Sequence, residues 1–390
     1  MNSCVFREKG PFPWKNCTLT FRENRFDYGG MRMRQWPDQR ILNLLEIETP
    51  IFQAPMAGAD SVALALGVCR AGGLGSLSCA LKNLDEIRAA VRKLREETVR
   101  PFNLNFFCHK MTAPSQAAIE KWKAFLAPFY VRLGLDIEAV SESRLSMPFD
   151  EEACALVEEL GPAVASFHFG LPASSHVDRL KGRGVKILST ATTIAEAKWL
   201  EQRGCDAIIV QGLEAGGHRG MFLDQNPVTQ TGLFALLPQV ADEVKVPLIA
   251  TGGIADARGI VAAFALGASA VQIGTAYLFC PEAEISPLYR KAIQEVGDNG
   301  TAVTNLFSGR PARGIVNRYL EEGGFISDAA LPFPFAAMLT LPLRIASEKA
   351  LSTEYMQMWA GQAVHLGKTV GAEQFTRTLT TTALDYWDRP

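Results

Sequence analysis

A histidine ends an apolar segment near the middle of the chain, in AVASFHFGLP. The segment predicts a buried β-strand, and strand alternation places Ser166, His168 and Gly170 on one side. Phe167 and Phe169 then face the other side, where they fit the apolar layer between a sheet and its helices. A neutral imidazole can accept a proton near neutral pH, and apolar neighbours can shift its pKa. His168 is therefore the candidate general base.

The other four histidines are weaker candidates. His218 lies in GGHRG beside Arg219, where a loop histidine could be catalytic, solvated or structural. His109 follows a cysteine directly after a predicted strand and ranks below His218. His176 and His365 fall within helical patterns and receive no role.

Glycines recur where the apolar segments end, and two of these places are typical of phosphate binding. TGGIADARG begins at Thr251 and IGTAYLF begins at Ile273. Loop amides and a helix N-terminus at such strand ends often bind phosphate in barrels, because glycine lets the backbone approach a ligand closely. We therefore expect a bound monophosphate. No G-x-G-x-x-G follows a strand and no P-loop motif occurs, so dinucleotide and P-loop sites are poorly supported.

Eight apolar segments could form the strands that position these residues. Amphipathic segments with apolar residues at i, i+3 and i+4 lie between them, and this alternation indicates a parallel sheet covered on both faces. Eight such units favour a closed (β/α)8 TIM barrel over an open doubly wound sheet. The predicted strands span residues 50–58, 72–79, 102–107, 163–170, 185–191, 207–212, 246–253 and 270–278.

The chain is longer than a minimal barrel at both ends and once in the middle. Residues 1–30 lack helical periodicity and predict a disordered extension, and Met31 or Met33 could be the true start. Residues 31–282 would form the barrel. About fifty-five residues separate strands three and four, which is too long for a plain crossover and predicts an inserted pair of helices near the rim.

Residues 283–390 predict a helical region that packs on the barrel, since no linker-like composition separates them from it. SPLYRKAIQEV and TEYMQMWAGQAVHLG have the pattern of helices. LPFPFAAMLTLPL has the pattern of a connector broken by prolines.

Composition points to a cytoplasmic protein that binds a small molecule. The net charge of -2 and the absence of a basic cluster argue against nucleic-acid or anionic-membrane partners. The eight cysteines are scattered without a C-x-x-C pair, which fits thiols in a reducing cytosol better than disulfides or a metal site. No apolar segment approaches the length of about 18 residues that spans a bilayer.

Six motifs, taken in order and spacing, resemble the nitronate monooxygenases, once called 2-nitropropane dioxygenases. They are QAPMAG, NLNFF, SFHFGLP, QGLEAGGHRG, IATGGIAD and VQIGTAYL. The resemblance runs from about Pro50 to at least Cys280, and MWAGQAV in the C-terminal region also fits it. SFHFG and EAGGHRG together are specific, whereas GGIAD and QIGT occur widely in flavin- and phosphate-binding barrels.

The resemblance implies an FMN cofactor at the mouth of the barrel, His168 as the catalytic base and no metal site. By position, the residues along the flavin or bonded to its ring or ribityl chain would be Ala54, Pro55, Met56, Ala57, Asn105 and Gln211. The phosphate cradle would be formed by Gly216, Gly217, Gly252, Gly253, Gln272, Gly274 and Thr275.

The implied reaction oxidises an alkyl nitronate with O2 to a carbonyl compound and nitrite, and a neutral nitroalkane must first lose its α-proton to a base. The partners would be a small nitronate and O2, and the oligomeric state stays open and includes a homodimer. Two alternatives are weighed. An FMN-dependent reductase of the enoyl-acyl-carrier-protein type shares APM and GGIAD, and a barrel that only binds a phosphorylated metabolite would need no flavin.

Overall fold

Eight parallel strands close into a barrel, which confirms the predicted fold. The computed structural model describes residues 35–140 and 145–388. The predicted disordered extension at residues 1–30 and the candidate start sites Met31 and Met33 lie outside the described residues. In chain order the strands are β1 (Ile51–Gln53), β2 (Gly75–Ser78), β3 (Phe102–Phe107), β4 (Val164–His168), β5 (Lys186–Ala191), β6 (Ala207–Gln211), β7 (Gly217–His218), β8 (Leu248–Thr251), β9 (Ala270–Ile273), β10 (Thr301–Thr304) and β11 (Ala312–Ile315).

The barrel contains every strand except β7, β10 and β11. Its strands are hydrogen-bonded in the order β1-β9-β8-β6-β5-β4-β3-β2, and a parallel bridge between Phe52 and Leu74 joins the two ends. All carboxyl ends therefore meet at one rim. The strands β1 and β9 end at Gln53 and Ile273, earlier than their predicted segments, so that the residues after them form rim loops.

Thirteen α-helices lie within the described residues, and most begin at a side chain that caps the first turn. In α3, Asn83 and Glu86 form a reciprocal capping box. In chain order the helices are α1 (Arg40–Leu45), α2 (Val62–Arg70), α3 (Leu84–Glu97), α4 (Gln116–Arg132), α5 (Glu151–Leu160), α6 (Ser174–Gly182), α7 (Ile194–Gln202), α8 (Leu233–Ala241), α9 (Ala257–Ala265), α10 (Pro287–Glu295), α11 (Arg318–Gly323), α12 (Ala336–Lys349) and α13 (Ala372–Trp387). None of these helices is long and apolar enough to cross a bilayer.

The barrel interior changes from apolar to polar toward the catalytic rim. At the amino-terminal end, Ile41 and Leu45 of α1 pack with inward-facing residues such as Phe52. Nearer the rim, Asn103 Nδ2 donates to Ser166 Oγ at 2.9 Å. This hydrogen bond holds the neighbouring strands β3 and β4 together, while Asn103 Oδ1 is buried without a partner among the described residues.

The insertion between β3 and β4 packs on the C-terminal region. The helix α4 lies against α12, and Tyr130 Oη donates to the Leu339 carbonyl at 2.6 Å. Trp122 and Phe129 of α4 share an apolar cluster with Tyr319 of α11. Among the described residues between β3 and β4, α4 and a short 3-10 turn are inserted, and α5 is the ordinary crossover helix. The described part of the insertion therefore contains one α-helix where a pair was predicted.

The C-terminal region contains strands that the sequence pattern did not predict. The strands β10 and β11 pair antiparallel with each other, and β11 also pairs with β7 from the loop after β6. The prediction of a helix for TEYMQMWAGQAVHLG is wrong, because backbone groups of this segment bond to distant residues. The Ile315 amide donates to the Met358 carbonyl, and the Gln362 amide donates to the Glu214 carbonyl. These contacts keep residues 357–361 out of a helix, and residues 362 and 363 form a turn. We call residues 357–363 the strap.

Two further helices differ from the prediction. The predicted connector LPFPFAAMLTLPL is non-helical at residues 331–335, but from Ala336 onward it forms α12, which contains Pro342. A proline inside a helix removes one hydrogen bond, and here the packing against α4 offsets that loss. The final helix, α13, lies between α2 and α9 and completes the ring of helices around the barrel.

Candidate active site

One cavity of about 470 Å³ opens at the carboxyl ends of the barrel strands. It brings together all fourteen residues that sequence analysis selected as catalytic or cofactor-binding. The lining includes His168, Ala54, Pro55, Met56, Ala57, Asn105, Gln211, Gly216, Gly217, Gly252, Gly253, Gln272, Gly274 and Thr275. The strand-end rule therefore located the cavity, while the role of each residue is a separate question.

His168 ends β4 and is held at both ring nitrogens. Its Nδ1 lies 3.1 Å from Thr190 Oγ1, and its Nε2 lies 3.1 Å from the His218 carbonyl oxygen. Burial, together with the positive charges of Arg310 and Arg219, lowers the pKa of His168 to about 3, and the hydrogen bond to the His218 carbonyl opposes that fall. The imidazole is therefore neutral at pH 7.

The placement of Phe169 in the apolar layer between sheet and helices is wrong. Phe167 does lie in that layer, where it packs against Phe149 with ring centroids 5.1 Å apart. Phe169 follows the last strand residue, has φ of +72°, and turns to the rim. There the Arg310 guanidinium lies 3.9 Å above its ring. Strand alternation cannot extend past the point where the backbone becomes left-handed.

His218 is packed among aromatic rings, which excludes the solvated alternative. Its Nε2 lies 2.8 Å from Ser308 Oγ, and its ring centroid lies 5.4 Å from that of Trp359. Its accessible surface lines the cavity. Burial lowers the pKa of His218 to about 3, and the neighbouring His168 lowers it further.

His109 lies behind the cavity wall. It packs edge-on against Phe333, with ring centroids 4.7 Å apart, and also contacts Phe107 and Phe169. Burial lowers the pKa of His109 to about 4. The structure thus gives His109 a packing role beside the site.

Acid should destabilise the folded protein through His109. In the unfolded chain its pKa returns to about 6.5, so below that pH the unfolded state binds the proton and the folded state does not. Between pH 7 and 5.5, His109 alone should lower the free energy of unfolding by about 1 kcal/mol. Urea unfolding of wild type and His109→Phe at both pH values measures this: the variant should lose less stability. Equal losses of unfolding free energy in wild type and His109→Phe would contradict the expectation.

The loop after β6 is held by a buried guanidinium. Arg219 donates from Nη1 to the Gly212 carbonyl at 2.6 Å and from Nη2 to the Gln211 carbonyl at 2.9 Å. It also donates to Gln230 Oε1. Burial lowers the pKa of Arg219 to about 10, so it stays charged at pH 7. The arginine of GGHRG therefore fixes the loop that carries His218.

Gln211 holds the loop after β6 through both ends of its side chain. Its Nε2 donates to the His218 carbonyl at 3.0 Å, and its Oε1 accepts from the Gly220 amide at 2.9 Å. Both ends of the side chain thus hold the loop, although Gln211 also lines the cavity. Asn105 differs, because its Nδ2 donates to Ser166 Oγ and its Oδ1 has no protein partner within the described residues.

The loop after β1 is held by a buried carboxylate. Asp60 Oδ2 accepts from the Met56 amide at 2.9 Å and from the Ser78 amide at 2.8 Å. Burial raises the pKa of Asp60 to about 6, and the nearby Lys82 opposes that rise. Asp60 therefore sets the course of the segment that runs from Ala54 to Gly58 along the cavity.

The glycine loops form a cradle of backbone amides. Gly252 and Gly253 have φ of +112° and +71°, and a Cβ at Gly252 would lie 3.1 Å from the Ala215 nitrogen. Within residues 35–140 and 145–388, the amides of Gly252, Gly253 and Gly274 donate to no protein group. Unpaired amides that face a cavity suit an anion.

The strap closes this cradle from above. The Gly361 amide donates to Thr275 Oγ1 at 2.9 Å, which ties the strap to the end of β9. A Cβ at Gly216 would lie 2.6 Å from the Gly361 nitrogen, so the two backbones are in direct contact. The motif MWAGQAV was the only sequence signal for this contact.

The donor set fits a flavin mononucleotide. The amides of Gly252, Gly253 and Gly274, free among the described residues, suit a phosphate, and the side chains of Gln272 and Asn105 line the same cavity. Amide groups of this kind hydrogen-bond readily to a heterocycle or a polyol.

Sequence analysis missed the apolar wall on the substrate side, which comes from the C-terminal region. The helix α12 presents one face to the cavity through residues spaced three and four apart. The lining residues from this region include Phe307, Phe333, Trp359, Ala337, Thr340, Leu341 and Arg344. Such long-range contacts leave no local signal, apart from the tryptophan of MWAGQAV.

Comparisons with known proteins agree over most of the chain. The sequence profile for nitronate monooxygenase matches residues 38–382. A nitronate monooxygenase of Paraburkholderia phytofirmans is 40% identical over 348 residues, which cover 87% of this chain and 93% of that protein.

Two solved structures are also similar. A nitroalkane oxidase from Streptomyces ansochromogenes has a TM-score of 0.79 and 34% identity, covering 89% of this chain and 98% of that one. FabK from Thermotoga maritima has a TM-score of 0.67 and 28% identity, covering 90% and 97%. The chain belongs to the nitronate monooxygenase family of flavin-dependent oxidoreductases.

Proposed function

We propose that this protein is an FMN-dependent nitronate monooxygenase that oxidises alkyl nitronates with O2 to carbonyl compounds and nitrite. One observation carries the proposal: a neutral histidine and an amide cradle line the same cavity. The cradle suits a single phosphate, and His168 suits proton abstraction from a nitroalkane. We also place the enzyme in the cytoplasm, and a homodimer is among the assemblies we propose to test.

In this proposal the free amides of Gly252, Gly253 and Gly274 hold the FMN phosphate. Asn105 and Gln272 hydrogen-bond to the ring or ribityl chain, and Met56 lies along the flavin. Bound FMN would supply the acceptor for electrons from the nitronate and would pass them to O2. The protein's share is to orient the cofactor, admit O2 and exclude water.

The substrate end of the cavity is built to exclude water. Phe107, Phe333 and Trp359 line it, and the Phe107 and His168 ring centroids lie 5.9 Å apart. A preformed nitronate needs no base, whereas a neutral nitroalkane must give its α-proton to one. The apolar wall fits a substrate with an alkyl chain.

An absorption spectrum and an oxygen electrode test the proposal together. We expect the purified protein to be yellow, to release FMN on denaturation, and to consume O2 with an alkyl nitronate while nitrite accumulates. A colourless protein that takes up no FMN would favour a barrel that only binds a phosphorylated metabolite. A yellow protein without nitronate-dependent O2 uptake would also overturn the proposal.

A reductase on the same barrel is the second candidate, because the fold is similar to that of FabK. Anaerobic mixing with NADH or NADPH separates the two functions. We expect slow bleaching of the flavin absorbance with either nucleotide and rapid bleaching with a nitronate. Rapid bleaching by a nicotinamide nucleotide would favour the reductase.

A further inference from the structure

Both ring nitrogens of His168 already have hydrogen-bond partners in the protein, and the partners differ in kind. Nε2 lies 3.1 Å from the His218 carbonyl oxygen, which can only accept. Nδ1 lies 3.1 Å from Thr190 Oγ1, a hydroxyl that can donate or accept. In the neutral ring, Nε2 must therefore carry the proton, and the Nδ1 lone pair accepts from the Thr190 hydroxyl.

The His218 carbonyl cannot leave its position easily. Gln211 Nε2 donates to the same oxygen at 3.0 Å, and Gln211 Oε1 accepts from the Gly220 amide. His218 also lies in β7, where it pairs with Ala312 of β11. This framework fixes the tautomer of His168 from outside the ring.

Thr190 is equally well fixed. It lies in β5, whose Ser189 is in register with Phe167, so Thr190 and His168 occupy neighbouring strand ends. A Cβ at Gly220 would lie 2.5 Å from Thr190 Cγ2 and 2.9 Å from His168 Cε1. The Gly220 backbone therefore packs against both side chains and limits rotation of the ring.

The position of Thr190 determines how a proton can reach the imidazole. Each ring nitrogen has one in-plane site for a hydrogen, and the carbonyl of His218 and the hydroxyl of Thr190 occupy those two sites. Thr190 Oγ1 keeps two lone pairs, and the residue lines the cavity. A substrate proton thus meets the threonine oxygen before it can meet Nδ1.

We propose that Thr190 is a catalytic residue that relays the α-proton of a nitroalkane to His168. The Cα–H bond breaks as its hydrogen bonds to Thr190 Oγ1, and the hydroxyl proton of Thr190 moves to Nδ1. The electron pair of the broken bond moves into the nitro group. The products are a nitronate and an imidazolium, so atoms and charge balance. The relay rests on the proposed function and deepens it.

Two variants of Thr190 test the relay in the FMN-loaded enzyme. Thr190→Val keeps the shape and removes the hydroxyl, so kcat/KM for nitroethane should fall by about 10²-fold or more, the usual contribution of positioned proton transfer. Its kcat/KM for ethyl nitronate should stay near that of wild type. Thr190→Ser restores a hydroxyl and should recover most of the nitroethane activity.

A matched control and a binding measurement separate the relay from a structural effect. Thr192→Val removes a buried hydroxyl that donates to Glu196, and it should leave the ratio of the two activities unchanged. FMN affinity, measured by quenching of flavin fluorescence, should be equal in wild type and Thr190→Val.

Two results would overturn the relay. In the first, Thr190→Val keeps the nitroethane activity of wild type, so His168 takes the proton directly. In the second, both substrates lose activity equally, which makes Thr190 a structural residue. Failure of the proposed function looks different, because wild type would then oxidise neither substrate.

Discussion

His168→Asn should lower kcat/KM for neutral nitroalkanes by about 10²- to 10⁴-fold and leave that for preformed nitronates almost unchanged. Asparagine can place its side-chain amide near the position of Nδ1 and keep a hydrogen bond to Thr190 Oγ1, which His168 now contacts at 3.1 Å. It cannot accept a proton near neutral pH. Only the substrate that must lose a proton should therefore respond to the change. Steady-state O2 consumption with nitroethane and with ethyl nitronate measures both values.

The control for this variant is a second buried histidine. His109→Phe removes an imidazole that lies behind the cavity wall, and both substrates should keep their activity. If His168→Asn depressed both activities equally, His168 would serve binding or structure, and the assignment of a base would be wrong. Flavin absorbance per protein should be equal in wild type, His168→Asn and His109→Phe. Differences in activity then do not come from loss of the cofactor.

The barrel was predictable because its signal is local and repeated. Apolar segments alternate with amphipathic ones along the chain, and most helices carry their own start signal, such as the capping box at Asn83. Parallel strands in a closed barrel then bring all carboxyl ends together. This geometric rule is why strand-end residues as distant as Ala54 and Thr275 were expected in one cavity, and both line it.

The features that sequence analysis did not predict depend on contacts between distant parts of the chain. The strap forms no helix because it bonds to Ile315 and Glu214, and apart from Gly361 its own sequence does not oppose one. Phe169 turns to the rim because its backbone is left-handed, which a strand pattern does not reveal. Gln211 bonds to a loop that is held in place by Arg219 and by pairing with the distant strand β11. Local patterns thus located the site but not the groups that hold it.

Gly216→Ala should weaken FMN binding by about tenfold to hundredfold. The new Cβ would lie 2.6 Å from the Gly361 nitrogen and 2.7 Å from the Ala360 carbonyl carbon, both of them backbone atoms. Neither can move without shifting the strap from Thr275. Such overpacking costs about 1–3 kcal/mol, and about 1.4 kcal/mol corresponds to a factor of ten in affinity. Titration of the apoprotein with FMN, followed by fluorescence quenching, gives the dissociation constants.

A methyl group added at two other glycines tests whether contact with the strap is what weakens FMN binding. Gly182→Ala adds a Cβ at the end of α6, where no atom lies within 4 Å, and it should bind FMN as wild type does. Gly361→Ala approaches the contact from the other side, 2.7 Å from the Glu214 carbonyl oxygen, and should resemble Gly216→Ala. If both strap variants bound FMN normally while remaining folded by circular dichroism, the strap would not support the cradle. Weakened binding in both would place the phosphate against a wall that two distant segments build together.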